Sequence, residues 1–173
     1  MKFGRGGPTY AGSPDFFEDS MPANATTPIK PLEPALTPRP VDAGVRIGHV
    51  HVKVADLDRS LAFYCGVLGF ELMQRYGKQA AFVSAGGYHH HIGLNTWESK
   101  GGTAPPPGTT GLYHVALLYP TRAALGDALR RLIEGGVPLE GASDHGVSQA
   151  LYLRDPDGNG IELYWDRDPA LHI

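Results

Sequence analysis

The feature that most constrains this chain is an internal repeat. The segment "HVHVKVADLDRSLAFYCGVLGF", from His49, lies over "HVALLYPTRAALGDALRRLIEGG", from His114. Each reads as a strand opening on His-Val, then a short polar loop, then an amphipathic helix. The ends repeat as well: "IGLNTW", from Ile92, resembles "IELYW", from Ile161, which sets Gly93 opposite Glu162. Two halves related by a pseudo-twofold axis bring four equivalent positions together: His49, Gly93, His114 and Glu162. Three of these can ligate a metal and one cannot.

The pattern between these landmarks predicts an α+β fold of two tandem βαβββ modules. "IGHVHVKV" alternates, placing His49, His51 and Lys53 on one strand face and Val50, Val52 and Val54 on the other. A helix follows, capped by Asp56 or Asp58, with Leu61, Tyr64 and Leu68 at helical spacing and Gly69 ending it. "FELMQRYG" and "QAAFVSAGG" read as a strand pair turning at Gly77 and Lys78, and "YHHHIGLNTW" as a fourth strand. Module one thus runs over 46–97. The stretch "ESKGGTAPPPGTTG", residues 98–111, has no apolar pattern and reads as a linker. Module two, 112–166, repeats the scheme: the strand "LYHVALLY", a helix ending in Gly135-Gly136, the lead-in "VPLEGASDHG", and the strands "VSQALYLRDPDG" and "NGIELYWDRD". Within "DPDGNG", Pro156 sets φ and Gly158 supplies a positive φ, a strong turn signal.

Composition bounds the rest. A chain of 173 residues suits one domain, here 45–167, with an arm before it and a short tail, 168–173, after it. Eight of the 15 prolines lie in the first 40 residues, without periodicity, so residues 1–44 are expected to be a flexible arm. Phe3, Tyr10, Phe16 and Phe17 leave open an arm that packs on a partner subunit or over the pocket. A formal charge of -3 gives no electrostatic case for nucleic acid or an anionic membrane. No apolar run approaches the roughly 18–20 residues that span a bilayer, and the N-terminal stretch lacks an apolar signal core. The single cysteine, Cys65, excludes an intramolecular disulfide and fits a cytoplasmic protein. Its place within the first helix is that of a packing residue.

His49 and His114 stand at matching points of the repeat, which argues against chance placement on a sheet. Glu162 sits between Ile161 and Leu163. A carboxylate in such an apolar strand needs a partner, and a metal is the natural one. Two histidines and one carboxylate leave coordination positions open, which suits a non-haem Fe(II) oxygenase. Mn(II) favours nearly the same ligands. The alternative at each position is a side chain that merely fills the sheet surface.

The string "GHVHVKVADLDRSLAFYCGVLGFEL…GLYHVAL…ALYLRDPDGNGIELYWDR" resembles the vicinal oxygen chelate superfamily of glyoxalases, bleomycin-resistance proteins and extradiol dioxygenases. The resemblance covers about residues 45–167 and is nearest to the single-pair type I extradiol ring-cleavage dioxygenases. It implies that the two modules form a curved mixed sheet around one metal site, ligated by His49, His114 and Glu162. Glyoxalase I-like members carry a fourth ligand where this chain has Gly93, so the resemblance counts against that activity. "YHHHIGLN" is similar to the His-rich fourth strand of extradiol enzymes and implies an acid–base role for His90, with His89 and His91 as neighbours. Tyr152, ten residues before Glu162, and His145 in the preceding loop match substrate-orienting groups, although the His–Tyr interval is shorter than the family pattern. His51, beside His49, is either a supporting residue or a groove filler. The implied activity is Fe(II)-dependent cleavage of a small aromatic diol with O2, by a homodimer. A metal-dependent glyoxalase-like lyase, isomerase or thiol transferase and a non-catalytic antibiotic-binding protein are the alternatives.

Overall fold

The computed structural model describes residues 39–171, so nearly all of the expected arm, with its four aromatics, lies outside the described residues. From Val50 onward the chain forms two βαβββ modules, as the repeat predicts. Module one contains β1 (Val50–Lys53), α1 (Leu57–Leu61), β2 (Glu71–Tyr76), β3 (Ala80–Ser84) and β4 (Ile92–Asn95). Module two contains β5 (Val115–Leu118), α2 (Arg122–Glu134), β6 (Leu139–Asp144), β7 (Ser148–Arg154) and β8 (Gly160–Asp166). Each module makes a four-stranded mixed sheet, ordered β1-β4-β3-β2 and β5-β8-β7-β6.

The first strand of each module pairs in parallel with the last, and the registers match between modules. Val50 faces Ile92 and His51 faces Gly93, just as Val115 faces Ile161 and Ala116 faces Glu162. The outer pairs agree even in their irregularity: β2 slips register between Leu72 and Gln74, and β6 between Leu139 and Gly141. A shared bulge at the same point of both hairpins is a feature of one duplicated unit.

Local chemistry explains the helices. Asp56 caps α1 by accepting from the Arg59 amide at 2.8 Å, and Thr121 caps α2 by accepting from Ala124 N at 3.0 Å. On α2, Leu125, Ala128 and Leu132 bury one stripe, while Asp127, Arg130, Arg131 and Glu134 pair on the solvent side. The first helix differs from a plain α-helix, since Ala62–Val67 continue it as wider π-turns. Those turns carry Phe63 and Tyr64 into the interior.

Both modules contribute to one apolar core, in which Val54, Tyr64, Leu94, Leu132, Leu153 and Leu163 are almost fully buried. Two sequence expectations change in detail. His89–His91 precede β4 rather than forming part of it, because a turn through Gly86 and Gly87, both at positive φ, returns the chain to the ladder only at His91, whose amide donates to Val83 O and whose carbonyl accepts from Val50 N. The lead-in "VPLEGASDHG" largely becomes β6, an edge strand whose small and polar residues gave no alternating signal. Gly158, at φ 83°, turns the chain between β7 and β8 as expected.

One buried carboxylate organises this turn. Asp155, 5% exposed, accepts from the amides of Asp157 and Asn159 and from Asn159 Nδ2, each at 2.9 Å. It also accepts from the Tyr64 hydroxyl of module one at 3.0 Å, which burial and the Asp155 charge keep protonated far above neutrality. A Tyr64→Phe variant deletes that link while preserving the ring packing. Urea unfolding is expected to show it less stable by about 1–3 kcal/mol, with the denaturant slope unchanged.

Candidate metal centre

The expected site residues fall into two constellations, one on each module. On module two, Glu162 projects from β8 directly across from Tyr152 on β7. The Tyr152 hydroxyl donates to Glu162 Oε1 at 3.1 Å, and His114 Nε2 lies 3.0 Å from Glu162 Oε2. His145 Nε2 is 2.9 Å from the Tyr152 oxygen. Because Tyr152 gives its one proton to Glu162, the His145 contact is satisfied with His145 as donor. The four residues therefore form a continuous chain, His145–Tyr152–Glu162–His114. Burial, the hydrogen bond to Glu162 and its charge together raise the Tyr152 pKa, so the phenol stays protonated near neutrality.

This chain borders a pocket of about 360 Å³ lined by Tyr113, His114, Glu140, Tyr152, Arg154 and Ile161. A larger cleft, about 840 Å³, runs between α2 and the β6–β7 hairpin, among Leu125, Leu129, Asp144 and Leu151. None of the expected ligands lines it, whereas His114 and Tyr152 line the smaller pocket.

On module one, His49 stands just ahead of β1 and His51 within it. The His90 ring lies 4.4 Å from that of His49 and 5.6 Å from that of His51. Phe82 packs on His90 at 4.9 Å, and Trp97 stacks on His51 at 6.2 Å and 28°. His89 Nδ1 is 2.8 Å from His90 Nδ1, while the buried His90 Nε2 has no hydrogen-bond partner. His91 turns away: its Nδ1 accepts from the Ala85 amide and contacts Ser84 Oγ, closing the turn before β4. Of the three consecutive histidines, His90 lies nearest His49, with the His89 ring edge-on to it at 6.2 Å.

Among the described residues, the group of three candidate ligands with donor atoms all within 4.8 Å of one another is His49, His51 and His90. The expected ligands His49, His114 and Glu162 are thus displayed as two parts, His114 with Glu162 and His49 with its histidine neighbours. His51 was the residue left undecided by sequence. Its signal was the repeat itself: module one has His51 beside Gly93 where module two has Ala116 beside Glu162.

The donor chemistry fits a divalent transition metal. His114 and Glu162 present one nitrogen and one carboxylate oxygen close together, with the two side chains 31% and 15% exposed. Imidazole with carboxylate suits Fe(II) and related ions.

The model of the glyoxalase/bleomycin resistance protein/dioxygenase superfamily matches residues 46–163. A catechol-2,3-dioxygenase of Bacillus subtilis is 46% identical over 122 residues, covering 70% of this chain and 41% of that protein. Biphenyl-2,3-diol 1,2-dioxygenase 3 of Rhodococcus globerulus is 32% identical over 123 residues, covering 70% of this chain and 63% of the other. The chain therefore spans less than two thirds of either dioxygenase. A lactoylglutathione lyase of Salmonella typhimurium is 30% identical over 130 residues, 72% of this chain and 95% of that enzyme. Among solved structures, a glyoxalase/dioxygenase from Nostoc punctiforme shares the fold, with a TM-score of 0.62 at 18% identity over 78% of this chain and all of the other.

Burial, then the neighbouring His49, His89, His51 and His91, lower the His90 pKa to about 4. The unfolded chain would protonate this imidazole near pH 6.5. Between those values the unfolded state binds the extra proton, so this contribution to stability is complete above pH 6.5 and is lost as pH falls toward 4. The metal-free protein is expected to show a falling Tm between pH 7 and pH 4.5 by calorimetry, and His90→Gln to flatten that fall.

Proposed function

The chain belongs to the glyoxalase/bleomycin resistance protein/dioxygenase superfamily, and from that membership we propose that it is an Fe(II)-dependent extradiol dioxygenase cleaving a catechol-type ring with O2. The observation that carries this reading is the chain His145–Tyr152–Glu162–His114 beside a pocket. It couples two candidate ligands to two groups able to orient a hydroxylated aromatic. The 46% identity to a catechol-2,3-dioxygenase over 122 residues supports it.

In this proposal His49, His114 and Glu162 hold the metal, with Mn(II) as the alternative ion. Bound iron supplies Lewis acidity toward a chelating diol and redox chemistry toward dioxygen. The protein's own groups handle the protons. His90, neutral above about pH 4, accepts the second phenolic proton and returns it as the ring opens. Tyr152 keeps its proton near neutral pH and, once Glu162 is engaged as a ligand, turns that proton toward a substrate oxygen. His145 donates to Tyr152 and so fixes its orientation.

A homodimer is part of the same proposal. His49 is exposed and His114 partly so, and Leu112, Tyr113 and Trp97 are 70%, 81% and 42% exposed. A second copy would cover these and complete the pocket walls. The lyase relatives keep a glyoxalase-like reading in view. Against it stands Gly93, which offers no donor where module two has Glu162. The ligand-bearing side chains also distinguish the chain from a pure antibiotic binder, which has no use for them.

Anaerobic reconstitution with Fe(II), followed by a panel of catechols, tests the proposal through oxygen uptake and the yellow ring-cleavage product. His114→Ala and Glu162→Gln are expected to abolish iron retention and turnover. Replacing His90 by Gln should lower kcat by about 10²–10⁴-fold, and Tyr152→Phe by about 10–100-fold. No uptake with any catechol by the iron-loaded protein would overturn the assignment.

A further inference from the structure

The corner of the repeat that lacks a ligand is filled from the neighbouring strand. Gly93 lies beside His51 in the β1–β4 ladder, and a Cβ built at Gly93 would stand only 2.7 Å from His51 Nε2. The glycine is therefore the space into which the His51 imidazole folds. In module two the sizes are exchanged: Ala116 is small and Glu162 reaches out. Both modules thus present one long, metal-competent side chain at this corner, an imidazole in one and a carboxylate in the other.

From this geometry we propose that module one holds a zinc ion on three imidazoles, those of His49, His51 and His90, independently of His114 and Glu162. Their donor atoms lie within 4.8 Å of one another. Zinc–nitrogen bonds of about 2.0–2.1 Å in a tetrahedron set donors roughly 3.4 Å apart, so small side-chain rotations close the site. The rings are already positioned: Trp97 stacks on His51, and Phe82 packs edgewise to His51 and at a tilt against His90. His90 Nε2 is buried with no partner, while its Nδ1 is engaged by His89. With Nδ1 donating to His89, Nε2 presents a lone pair to the metal, and His89 serves as the outer support that orients a ligating imidazole. His49 and His51 are exposed, so the ion can enter from solvent and a water can complete the tetrahedron. Three neutral nitrogens without a carboxylate favour zinc or copper over iron in the ordinary affinity order.

His49 belongs both to this site and to the proposed iron site. Zinc on the three imidazoles would withdraw His49 from iron and His90 from its proton, making the ion a competitor of the catalytic metal. Only this consequence rests on the dioxygenase reading.

Titration of the metal-free, full-length protein with zinc against a chromophoric chelator tests the site. One zinc per chain is expected, with equal affinity in wild type and in the His114→Ala/Glu162→Gln double variant. His51→Gln and His90→Gln should each weaken binding by more than the about 10–100-fold typical of losing an outer support. Gly93→Ala keeps all three imidazoles but displaces the His51 ring, and should also weaken zinc. Copper(II) at the site should show three coupled nitrogens by electron paramagnetic resonance in wild type and two in His51→Gln. Unchanged zinc affinity in both His51→Gln and Gly93→Ala, or loss of zinc in the double variant, would overturn the proposal. Absence of catechol-dependent oxygen uptake would overturn the iron reading alone, since the zinc titration does not depend on it.

Discussion

The buried carboxylate of Asp155 is the constraint on which the arrangement depends. It collects three donors from its own turn and a fourth from Tyr64 on the other module. A carboxylate so enclosed is tolerable only because its lone pairs are met by donors, and each donor is thereby fixed in place. The consequence runs in two directions. Within module two, the turn sets the β7–β8 register that puts Tyr152 opposite Glu162. Between modules, it pins the π-turn segment of the first helix to the end of β7, while Arg59 pairs with Asp157 alongside. The chemistry and the joining of the two halves share one residue.

Much of this was legible in the sequence, because the repeat is a statement about three-dimensional equivalence. Aligning Ile92 with Ile161 anticipates the observed registers, since both residues pair with the valine that follows the leading histidine. The ten-residue interval from Tyr152 to Glu162 becomes a direct cross-strand pairing through a tight turn. Other features left no readable trace. The spacing of Leu61, Tyr64 and Leu68 serves an α-helix and a π-turn equally, so the widening at Ala62–Val67 was not foreseeable from periodicity. β6 lacks alternation because it is an edge strand, exposed along most of its length. The facing of His89 and His90 was undetermined because strand alternation does not govern residues held in the turn that reaches the ladder only at His91.

The candidate site shows how duplication and divergence work together. A strand pair offers a fixed amount of room at each register position, and a bulky side chain on one strand requires a small one beside it. Module one spent that room on His51 and left Gly93 bare; module two chose Glu162 and kept Ala116 small. The same backbone therefore displays an all-imidazole set on one side and a mixed imidazole–carboxylate set on the other. In such a scaffold, which of two adjacent strands carries the longer side chain decides whether an imidazole or a carboxylate stands at this corner.

The paired bulges in β2 and β6 have an effect beyond marking the repeat. Each lies on the outermost strand of its sheet, where unpaired backbone amides and carbonyls face solvent. A regular edge of that kind invites another chain to extend the ladder. An extra residue breaks the even spacing of donors and acceptors, so an incoming strand finds only a short stretch in phase. The protein can consequently leave these two borders uncovered without their becoming templates for uncontrolled stacking.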